Sequence, residues 1–202
     1  MINEAFRILE AEVNAYFNEY LEPDTEKWVV IGNVSKLADN PEAGGNIGSE
    51  SSPKVGVLGL VNIEEDKVAK NPQNFVRESG TIFYQNPKIY LNLYALFAIT
   101  NSKYPDALQN LSLIIRCFQR TSVFDKSTHP GMEVIAPNIE RLTLDLFTLN
   151  FEQVNHLWST LGGKYFPSVL YKIKVVAIED TTSRVEGKLI EEIQVNSGRM
   201  KR

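Results

Sequence analysis

"KIYLNLYALFAIT", from Lys88 to Thr100, is the stretch whose reading decides the fold. Side chains alternate between the two faces of a strand. Ile89, Leu91, Leu93, Ala95, Phe97 and Ile99 make one face wholly apolar, and Tyr90, Tyr94, Leu96 and Ala98 make the other nearly so. A strand apolar on both sides belongs at the centre of a sheet covered on both faces. The rest of the chain must supply two covering layers.

Upstream, Ile2, Ala5, Phe6, Leu9, Val13, Tyr16, Phe17 and Tyr20 recur at helical spacing, which predicts an amphipathic helix ending before Pro23. WVVIGNV, Trp28 to Val34, reads as a strand, and residues 54–64 as a second, bent or bulged by Gly56 and Gly59. Between them lies a Gly/Ser/Asn/Pro-rich loop at 38–53. Residues 65–86 read as another polar loop, with a folded-back hairpin arm as the alternative.

Downstream, Tyr104-Pro105-Asp106 opens a helix to about Gln119. Leu108, Leu111, Ile115 and Phe118 form one stripe and Leu113, Ile114 and Cys117 another, so burial from two directions is expected. Residues 122–138 read as an irregular connection. RLTLDLFTL, Arg141 to Leu149, alternates, with Leu142, Leu144 and Leu146 pointing in. Asn150 can cap a helix from Phe151, with Gln153 reciprocating and Gly162 or Gly163 as its left-handed stop. Val154, Leu157, Trp158 and Leu161 give that helix its core stripe, and residues 168–178 return as a long strand. In the polar tail, Leu189, Ile190, Ile193 and Val195 leave room for a further strand or helix docking on a neighbour. The expected fold is α/β (α+β): a mixed, mainly antiparallel sheet of about five strands packed with about three α-helices. Residues 1–180 form a single domain with long loops at 38–53 and 65–86, and 181–202 a polar C-terminal extension.

The 202 residues suffice for one well-filled core. A net charge of -4 argues against a general nucleic-acid or membrane-surface binder. The acids in MINEAFRILEAEV argue against a secretory leader, so a cytoplasmic setting is expected. No apolar run approaches the roughly 18 residues of a membrane helix.

Catalytic signatures are lacking. The chain contains neither GxxxxGK[ST] nor GxSxG, and its two histidines, His129 and His156, stand far apart in sequence. Cys117, the one cysteine, sits in an apolar run and reads as a buried filler. Glu64-Glu65 and Glu191-Glu192 are adjacent acids, for which surface solvation is the plainer account. No cofactor, metal or catalytic residue is therefore expected. His156 lies opposite the core stripe of its helix, where a partner contact is the sharper expectation. Lys172 and Lys174 share the side of their strand opposite Tyr171 and Ile173 and read as a basic strip facing a partner.

Four segments carry a family likeness: INEAFRILEAEVNAYF, IYLNLYALFAIT, YPDALQNLSLIIRCFQRTSVF and IERLTLDLFTLNFEQVNHLWSTLGGKYFPSVLYKIKVVAI. In order and spacing, from Met1 to about Asp180, they resemble a bacterial family encoded with phage-tail-like contractile injection systems. That family is similar to the tail-terminator or cap proteins of antifeeding-prophage-type particles. The resemblance implies a tail-terminator-like domain that forms a six-fold ring on the last layer of inner tube and sheath and closes the distal end. It implies partners in a homohexamer and in tube and sheath proteins, with no nucleic acid and no direct membrane insertion. It carries over no catalytic residues. Two other classes stay open: a non-catalytic adaptor to a membrane anchor or partner, and, less favoured, a small hydrolase.

Overall fold

The computed structural model describes residues 1–21, 26–37, 54–68, 75–78, 81–84, 86–101, 103–127, 129, 131–178 and 185–187. Helix α1 spans Ile2–Tyr20 and strand β1 Val29–Ile31, followed by a 3-10 turn at Val34–Leu37. Strands β2 (Gly56–Glu65), β3 (Phe75–Glu78), β4 (Thr81–Tyr84) and β5 (Ile89–Ile99) come next. Then follow α2 (Tyr104–Arg120), β6 (Val123–Asp125), α3 (Met132–Ile135), β7 (Arg141–Leu146), α4 (Phe151–Thr160), β8 (Ser168–Ile178) and β9 (Val185–Gly187).

Six strands form one sheet in the order β1-β2-β5-β8-β7-β6. Only β1 and β2 run parallel; every other neighbour is antiparallel. The strand that decided the reading, β5, lies inside this sheet between β2 and β8, with Leu93 through Ile99 buried. Its odd-numbered face packs Phe97 against Phe118 of α2 at 5.4 Å, and Phe118 in turn meets Tyr171 of β8 edge-on at 4.9 Å. Ala5, Leu9, Val13 and Phe17 of α1 join the same cluster. The even-numbered face buries Tyr94, Leu96 and Ala98 beneath Trp158 of α4 and Val34 and Leu37 of the 3-10 turn. Both covering layers are thus present, and the α+β class holds.

Local chemistry sets the element ends. Pro105 begins α2, where its missing N–H costs no helical bond, and Arg120 stands at the negative end of the helix dipole. The α4 start is a reciprocal box: Asn150 Oδ1 accepts from Gln153 N at 2.8 Å, and Gln153 Oε1 accepts from Asn150 N at 3.0 Å. At its far end Gly162 and Gly163 both take positive φ, and Gly163 N donates to the Trp158 carbonyl at 2.7 Å.

Several expectations need correction. The irregular connection at 122–138 contains β6 and α3, which brings the described total to four helices. The slip in β2 falls between Leu60 and Asn62 rather than at Gly56 or Gly59, so Val61 is the extra residue. Leu146 is 55% exposed, because nothing among the described residues covers the end of β7. Helix α2 buries a single side, Ala107, Asn110, Leu113, Ile114, Cys117 and Phe118, and leaves Leu108 and Ile115 exposed. Within 65–86 the described residues include β3 and β4, which pair with each other, and β9 adds to the other side of β4 within the same chain. The 38–53 loop and residues 188–202 lie outside the described residues.

Candidate interaction surface

Strand β8 places Tyr171 and Ile173 in the cluster under α1 and α2, so Lys172 and Lys174 emerge on the α4 side. Each finds an acid on a neighbouring strand. Lys172 Nζ donates to Glu64 Oε2 of β2 at 3.0 Å and stands 5.3 Å from the centre of the Tyr94 ring. Tyr94 OH donates to the same carboxylate oxygen at 2.8 Å. These two hydrogen bonds, Lys172 first, hold the Glu64 carboxyl below the usual carboxylate range, and the same bond holds Lys172 above the usual range of a lysine. Lys174 is paired with Asp145 of β7. What faces outward is therefore a charge-neutralised band that crosses β2, β5, β8 and β7, rather than a bare basic strip.

His156 stands apart from this band. Its side chain is 73% exposed on the outer face of α4, with Glu152 one turn back at 3.8 Å. His129 is placed differently: its ring lies 4.7 Å from Phe124, and Nε2 is 4.0 Å from Glu12 of α1. Cys117 is fully buried and its Sγ contacts the Glu12 carbonyl at 3.9 Å. Burial pushes its thiol up to about 12, so it is protonated and unreactive at neutral pH. Two histidines on separate elements and a protonated buried thiol make no nucleophile–base pair. Among the described residues no three His, Cys, Asp or Glu side chains gather as a metal site requires, and no helix is long and apolar enough to cross a membrane.

The apolar surface was not foreseen. A groove of about 270 Å³ opens between α2, the end of β7 and α4, lined by Ile115, Leu146, Val154, Leu157, Trp158 and Tyr165 among others. Tyr165, 60% exposed, stacks edge-on against Trp158 at 5.6 Å and forms part of its rim. Leu108 and Tyr104 continue the exposed stripe along α2. The signal was the α2 stripe that carries Leu108 and Ile115, which was read as buried within the chain. Glu64 and Asp145 were missed because their partners come from distant strands.

The described residues thus form a two-faced sheet with long helices against one side, a capped helix on the other and an exposed apolar groove beside it. A family model described as the Pvc16 N-terminal domain matches residues 5–192. The chain belongs to this family. No curated protein sequence matches it. Among solved structures it is similar to the sheath/tube terminator of the PVC extracellular contractile injection system in its extended state, with a TM-score of 0.56 and 13% identity over 95% of this chain. It is also similar to the tube-terminating cap of the anti-feeding prophage, with a TM-score of 0.48 and 14% identity over 69% of this chain. The chain spans 63% of the terminator's length and 48% of the cap's. The Pvc16 N-terminal domain is therefore the family, and the fold is shared with the PVC terminator.

Proposed function

We propose that this member of the Pvc16 N-terminal domain family caps the distal end of a contractile injection particle, as a hexameric ring seated on the last layer of inner tube and sheath. The match of the family model over residues 5–192 carries the reading, and the terminator-like fold supports it. The ring subunits contact one another and the tube and sheath proteins, and the chain acts by binding, without catalysis. It is assembled in the cytoplasm and becomes a component of the particle, with no nucleic acid among its partners and no direct membrane insertion. The neutralised band through Lys172 and Lys174, together with exposed His156, is offered to those partners. Complementary patches, rather than net charge, set such contacts.

Deletion of the gene tests this. Electron micrographs should show tubes and sheaths of uncontrolled length. Particles of normal length that fail to attach would instead favour the adaptor reading, and particles unchanged in length and attachment would sink both.

A further inference from the structure

We draw no further inference here: the strongest candidate, the apolar groove between α2, the end of β7 and α4, is an unpartnered face, and nothing in the structure shows what covers it.

Discussion

Asn14 on α1 closes the outer edge of the sheet at Val29: its Nδ2 donates to the Val29 carbonyl at 2.8 Å, and its Oδ1 accepts from Val29 N at 3.1 Å. The same oxygen accepts from Trp28 N at 2.7 Å, and Glu10 Oε1 takes Ile31 N at 3.1 Å. A three-residue edge strand has few backbone bonds of its own, so these side chains satisfy groups that would otherwise be open to another chain. Asn14→Ala should destabilise the fold by about 1–3 kcal/mol, because partly buried backbone groups lose their partners. Urea unfolding measures it; an unchanged midpoint would mean that water replaces the clamp at no cost.

Trp158 and His156 sit on opposite sides of α4 and should respond oppositely. Trp158→Ala removes the ring that fills the second core and contacts Phe166 at 5.8 Å, at a cost of about 3–5 kcal/mol. His156→Ala should change stability by less than about 0.5 kcal/mol, as exposed substitutions do. Thermal melts of the two variants decide this, and a large loss for His156→Ala would refute its outward placement.

The Glu64–Lys172 pair makes a small pH-dependent contribution. Glu64 titrates lower in the folded chain than usual, so its contribution is present above the unfolded-state value and lost as pH falls through the folded one. Lys172 titrates higher, so its share is present below its unfolded-state value and lost as pH rises through the folded one. The pair is therefore fully formed at neutral pH. The Tm gap between wild type and Glu64→Gln should be widest there and shrink in acid below the ordinary glutamate range. A gap that does not move with pH would show that the carboxylate's charge is irrelevant. Because Glu64 is half exposed, the gap should be modest.

Gly56 is fixed by crowding. A Cβ there would lie 2.5 Å from the Ala98 carbonyl oxygen, which is backbone and cannot swing aside. Gly56→Ala should push β2 from β5 and cost about 1–3 kcal/mol. Hydrogen exchange should show faster exchange at Thr100 N, which donates to Val55 in the wild type. Unaltered exchange and stability would show that the strands accommodate the methyl.

Where a pattern is long and self-contained, the sequence was sufficient. The two apolar faces of β5, the α1 stripe and the Asn150–Gln153 box each depend on residues a few positions apart, and each is found where periodicity puts it. Short elements escaped: β6 has three residues and α3 four, too few for a period to declare itself. Alternation placed Leu146 on the inward side of β7, but it cannot say whether anything covers that end. The same holds for Leu108 and Ile115, whose apolar pattern records a need for cover without identifying its source. Alternation along β8 puts Lys172 and Lys174 on one side of the strand, whereas their neutralisation depends on Glu64 and Asp145, brought in by strand order alone.

The unbroken antiparallel centre has a mechanical consequence. A pull along β5 loads the β2–β5 and β5–β8 ladders in shear, so many hydrogen bonds must yield together rather than unzip singly.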